Sequence, residues 1–135
     1  VHAFGGTLEP TDRNAHGELD VFESMARELR EELRLSLDEP IDLLCLGMIR
    51  DSDHRQPELV FDARLTLGRD ELIQRLDAND PEHDEIVAVR DEPAALASFL
   101  QMPPSVVPIL IGALSLHARR MFGVEHLIGA LKRSW

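Results

Sequence analysis

Cysteine is nearly absent. Cys45 is the only one in 135 residues, so no internal disulfide can form. A chain with a single thiol suits a reducing compartment, and the expected location is cytoplasmic. Long apolar runs are also missing. The longest, 106–116, is interrupted by Pro108, Gly112 and Ser115 and is too short to span a bilayer. The N-terminus has neither the basic segment nor the apolar core of a signal peptide. Positive charge is scarce: 14 Lys and Arg stand against 25 Asp and Glu, a formal net charge of -11. Such a chain repels nucleic acid phosphates and anionic membranes, so neither is an expected partner. A carboxylate cluster that holds divalent cations fits this balance. So does an acidic surface that serves only solubility.

What is present is enough for one domain. Apolar residues make up 44% of the chain, which supports a buried core. The chain opens at Val1 on what reads as the end of a strand, and N-terminal sequence is expected to be missing. Gly5-Gly6 is a turn signal, and 7–17 reads as a polar loop. Asp20 and Glu23 have the spacing of a capping box, which predicts a helix from Val21 to Leu33. Phe22, Ala26, Leu29 and Leu33 recur at helical spacing as its buried stripe. Strands are predicted at 43–49, at 59–67 on alternating apolar residues, and at 86–89. Helices are predicted at 69–77 and 92–100, with a final one at 105–121 whose first turn tolerates Pro108. The mixture gives an α/β or α+β class in one domain, 1–135, with no internal repeat.

The segment Arg27-Glu28-Leu29-Arg30-Glu31-Glu32-Leu33 carries the chemistry. On a helix, Glu28, Glu31 and Glu32 fall within an arc of about 100°. Like charges at these spacings repel by roughly 0.2–0.5 kcal/mol per pair in an exposed helix. A divalent cation reverses that sign, and magnesium prefers carboxylate oxygens shared with substrate phosphates. The same acids also fit a solvated helix face, with Arg27 pairing to Glu23 and Glu31.

The segment resembles the Nudix box, G-x5-E-x7-R-E-U-x-E-E-x-G-U with U aliphatic. Arg27, Glu28, Leu29, Glu31, Glu32 and Leu35 match its second half. Arg34 stands where the box has the glycine that ends the helix. Gly5-Gly6 resembles the opening glycine pair, but 20 residues separate Gly6 from Arg27 where the box has 13. Leu19 stands at the place of the first-half Glu, with Glu18 and Asp20 beside it. Gly17 and Glu23 share the box spacing but sit too close to Arg27 to belong to it. The lengthened loop, the Asp20-Val21-Phe22 helix start, the stretch 44–50 and the final helix resemble the branch that includes UDP-glucose-cleaving hydrolases.

The resemblance implies an α/β/α sandwich with a mixed sheet, whose N-terminal strands before the glycine pair are expected to be missing. It implies a magnesium-dependent hydrolase, with manganese as a substitute, that splits a nucleoside diphosphate linked to a second group. For UDP-glucose the products would be UMP and glucose 1-phosphate. Glu28, Glu31 and Glu32 would bind metal. Glu28, Glu32 or an acid of the loop 79–84 and its end, Glu82 or Glu85, would deprotonate the attacking water, with Glu85 favoured. Gly5, Gly6 and Arg27 would be structural. Arg50 and His54, with Arg55 beside them, are candidates for touching phosphate or sugar, and an ordinary polar turn explains them as well. The remaining histidines show no zinc spacing. Cys45 reads as core rather than nucleophile. A homodimer is compatible with the family. Other substrates stay open: ADP-ribose or another ADP-sugar, a nucleoside triphosphate, or coenzyme A. So do a non-catalytic Nudix-like domain that binds a nucleotide or protein, and an unrelated acidic interaction module.

Overall fold

The computed structural model of the chain describes residues 4–50, 56–76, 87–101 and 106–133. Along the chain, helix α1 (Val21–Glu32) precedes strands β1 (Ile41–Arg50) and β2 (Pro57–Leu65). Helices α2 (Arg69–Arg75), α3 (Pro93–Leu100), α4 (Pro108–Phe122) and α5 (Val124–Arg133) follow. The strands form one two-stranded antiparallel sheet, so the class is α+β. Among the described residues there is no further strand to extend it into the larger mixed sheet that the sandwich requires.

Two compact units divide the chain, and both strands pass through both of them. The described part of the first is 4–43 and 63–76. Its core is Leu29, Leu33 and Leu35, with Phe4, Met25, Ile41, Leu43, Leu65, Leu67, Leu72 and Leu76 packed around them. The described part of the second is 44–50, 56–62, 87–101 and 106–133. There α3, α4 and α5 pack on one another. Leu96 and Ala118 form one buried centre, and Phe99, Val106 and Leu110 another. Gly112 lets α4 approach β1 closely, because a Cβ there would lie 2.7 Å from Ile49 Cδ1.

Helix α1 begins where the capping signal places it. The Asp20 side chain accepts from the Glu23 N–H at 3.0 Å. The Asp20 N–H donates to the Asp12 carbonyl at 3.0 Å instead of completing a capping box. Phe22 departs from the expected stripe and is 47% exposed. It lies in the first turn, and helix side chains tilt toward the N-terminus, which carries it past the end of the leucine cluster. The helix ends at the Leu33 cap, and Arg34 adopts a left-handed φ of 52°. The Leu35 N–H then donates back to the Arg30 carbonyl at 2.9 Å, the outer bond of a Schellman motif. Arg34 thus takes the conformation for which the box carries glycine.

Other departures have identifiable causes. Val60 is buried and Leu59 exposed, opposite to the expected face at that end of β2. The face of Val60 and Asp62 is the one that α4 meets, through His117 and Arg120. The expected strand 86–89 is not formed over 87–89, where Val89 packs its side chain into the helical core. The last helix starts at Pro108, later than expected. Val107 is extended (φ -63°, ψ 144°), as a residue before proline prefers. Gly123, with φ 79°, closes α4, and the unexpected α5 follows directly.

Candidate functional site

The site is organised by the loop before α1. Asn14 folds its tip by accepting the backbone N–H groups of His16 and Glu18 at 2.9 and 3.1 Å. Arg13 donates to the Gly17 carbonyl and pairs as an isolated bridge with Leu19. Asp12 then joins the loop to the helix. Its Oδ2 accepts from the Glu9 N–H at 2.8 Å and from the Ser24 hydroxyl at 2.9 Å. Its Oδ1 lies 3.4 Å from the Arg27 guanidinium. The backbone bond from Glu9 is the largest influence that lowers the Asp12 pKa; burial opposes it, and Ser24 and Arg27 add to it.

Arg27 stands at the centre of the acids. Nη2 is 2.8 Å from Glu28 Oε1, and Nη1 is 3.4 Å from Glu31 Oε2. Burial works against its charge, but Glu28, Asp12 and Glu31 outweigh that and raise its pKa. The anticipated pair with Glu23 is not made by Arg27; Arg30 takes Glu23 at 3.5 Å. The acids occupy different surroundings. The Glu28 side chain is 18% exposed and rests on Gly6, where a Cβ would lie 2.1 Å from Glu28 Cδ. Glu31 is 63% exposed and lines a cavity of about 310 Å³ with Asp12, Arg13, Ser24, Arg27 and Arg30. Glu32 is half-buried, with one carboxylate oxygen enclosed by protein.

The donor set suits a hard cation, since all three acids offer carboxylate oxygens from one helix. Gly6 provides a close backbone cradle for Glu28 that any side chain would fill. Among the described residues, no three His, Cys, Asp or Glu side chains converge on one ion-sized point. Arg27 engages both Glu28 and Glu31.

Of the other expected site residues, Gly5 has open space around it and Arg50 is exposed at the end of β1. His54, Arg55, Glu82 and Glu85 lie outside the described residues. Cys45 is half-buried in β1. Two features escaped the sequence reading. One is Asp12, hidden in a loop that reads only as polar. The other is a cluster of Asp62, His117, Asp91 and Arg120 in the second unit. Its carboxylates come from positions 55 and 26 residues before the histidine, too far for a spacing signal. No helix among the described residues is long and apolar enough to cross a membrane. Comparison of the chain with protein-family models, curated proteins and solved structures gave no match.

Proposed function

We propose that the chain is a Nudix-type hydrolase domain acting on a nucleoside diphosphate joined to a second group, with UDP-glucose the first candidate substrate. The observation that carries this proposal is the contact of Gly6 with Glu28. The box resemblance relates those two positions despite the long insertion between them. The left-handed Arg34 at the motif's helix-ending glycine adds support. On this proposal β1, β2 and α1 belong to a mixed-sheet sandwich, and the domain works in the cytoplasm.

Glu28, Glu31 and Glu32 would hold magnesium or manganese. The ion, when bound, supplies charge neutralisation and Lewis-acid polarisation of the diphosphate. Glu28 or Glu32 would take the proton of the attacking water, or Glu85 would. Arg27 balances the charge of Glu28 and Glu31 before the ion enters. Arg50 and His54 remain candidates for the phosphate or sugar. The engagement of two box acids by Arg27 favours one alternative, a Nudix-like domain that binds a nucleotide without cleaving it.

Product analysis separates the two. The panel is UDP-glucose, ADP-ribose, a dinucleotide, coenzyme A and a nucleoside triphosphate, each with and without magnesium. Magnesium-dependent release of UMP and glucose 1-phosphate, reduced by orders of magnitude in Glu31→Gln and Glu32→Gln, is the expected result. Cleavage of another substrate would keep the chemistry and reassign the specificity. A folded protein that binds a panel nucleotide but cleaves none would favour the binding domain.

A further inference from the structure

The second unit carries a charged cluster remote in sequence from the box. His117 of α4 is held at both ring nitrogens. Nδ1 is 2.7 Å from Asp62 Oδ1 of β2, and Nε2 is 2.8 Å from Asp91 Oδ1 of the segment leading into α3. Arg120, one turn along α4, reaches the other Asp62 oxygen at 3.2 Å. The ring stands nearly perpendicular to that of Phe122, with centroids 6.4 Å apart. The two carboxylates address nitrogens on opposite sides of one ring, so they do not converge as ligands around a common ion. A neutral imidazole has one N–H and one lone pair, and it can donate to only one carboxylate. Only the imidazolium satisfies both.

We propose that charged His117 is a pH-sensitive link that fastens the 87–92 segment and β2 to α4, and that deprotonation releases the Asp91 arm. Asp91 is the arm that goes for two reasons. Asp62 is the more enclosed acid, with its side chain 23% exposed against 52% for Asp91, and Arg120 also holds it. The remaining proton therefore stays on Nδ1 toward Asp62, and the Nε2 lone pair repels Asp91. Val89 still anchors that segment, through its packing against the buried Leu96–Ala118 and Phe99–Val106–Leu110 clusters. Burial works to lower the His117 pKa, but its hydrogen bonds to Asp91 and Asp62 outweigh it, so the value lies above 6.5. A raised folded value gives stabilisation that is complete below pH 6.5 and lost as pH rises through the folded pKa.

The test is an NMR titration of the His117 ring together with amide hydrogen-exchange protection of 87–92, corrected for intrinsic exchange. We expect His117 to titrate above 6.5. Protection of the segment should fall several-fold across that titration in the native protein. In Asp91→Asn, which keeps the shape, the titration should move down and protection should be low and flat with pH. In His117→Gln protection should be equally flat; if that variant does not fold, Asp91→Asn decides alone. Titration at or below 6.5, or protection of 87–92 that does not follow the ring, overturns the proposal.

Discussion

Gly6 and Glu28 touch so closely that no side chain fits between them: a Cβ on Gly6 would lie 2.1 Å from Cδ and 2.4 Å from Cγ of Glu28. Both clashing atoms belong to a flexible side chain, so Gly6→Ala is accommodated by a new rotamer of Glu28. A rotamer change costs about 1 kcal/mol. On the proposed function the consequence for chemistry is larger, because a displacement of about 1 Å in a catalytic group can cost ~100-fold in rate. Gly6→Ala is then expected to lower the urea midpoint by less than about 1 M while turnover falls about 100-fold. Equal loss of both would mean that Gly6 serves folding alone.

Arg34 holds φ 52° at the end of α1. A left-handed conformation costs an L-residue about 1 kcal/mol, and glycine avoids it. Glycine also gains entropy in the unfolded chain, which offsets part of the benefit. Arg34 further donates to the Arg75 carbonyl, but at 3.5 Å that bond is weak. Arg34→Gly is therefore expected to raise unfolding free energy by roughly 0.5 kcal/mol, read from urea denaturation. A loss of stability would show that the guanidinium contacts outweigh the strain.

The elements that the sequence makes legible are those specified by neighbouring residues. Asp20 and Glu23 mark the start of α1, and Pro108 falls in the first turn of α4. β1 is visible in its apolar run and β2 in its alternation, whereas the apolar stretch 87–89 forms no strand. Burial is less legible because distant groups decide it. Val60 rather than Leu59 faces inward because α4 meets that side of β2. At the candidate site, the three glutamates follow from helix geometry. Their surroundings do not, since Gly6, Asp12 and Arg27 meet only through the folded loop. Helix α5 was accessible: Gly123 inside a helical pattern is a stop signal, and a second helix follows it.

Glu39 fastens the turn after α1 to α2. It accepts from Arg75 at 2.7 Å and from the Ser36 N–H and hydroxyl at 2.6 and 2.9 Å. The Arg75 bond is the largest cause that brings its pKa from 4.5 down to about 2, and Ser36 adds to it. A depressed folded value gives stabilisation that is present above pH 4.5 and lost as pH falls toward 2. Glu39→Gln should therefore be less stable than the native protein at neutral pH. The gap should close as the pH is lowered through that window. A gap independent of pH between 5 and 2 in urea titrations would refute a role for the carboxylate charge.

Asp12 offers the sharpest test of the loop. Its side chain is 9% exposed and joins Glu9, Ser24 and Arg27, while its carbonyl receives the Asp20 N–H at the start of α1. Asp12→Asn keeps the shape but removes the charge that faces Arg27. It also replaces an acceptor at Oδ2 or Oδ1 with a donor, so at least one of these bonds is lost. The loop 9–20 should then separate from the helix more readily than the rest of its unit unfolds. Limited proteolysis should cut the variant within 9–19 at concentrations that leave the native protein intact, with the melting temperature lowered modestly. Cleavage elsewhere first would place the weak point outside this junction. In the double variant Asp12→Asn, Arg27→Gln, the guanidinium that faced Asp12 is removed as well. Partial recovery of the protease resistance of 9–19 is expected there, because two neutral amides can hydrogen-bond to each other, whereas Arg27 in the single variant, still paired with Glu28 and Glu31, faces a loop that has lost its charge. No recovery would assign the effect to Ser24 and Glu9 instead of Arg27.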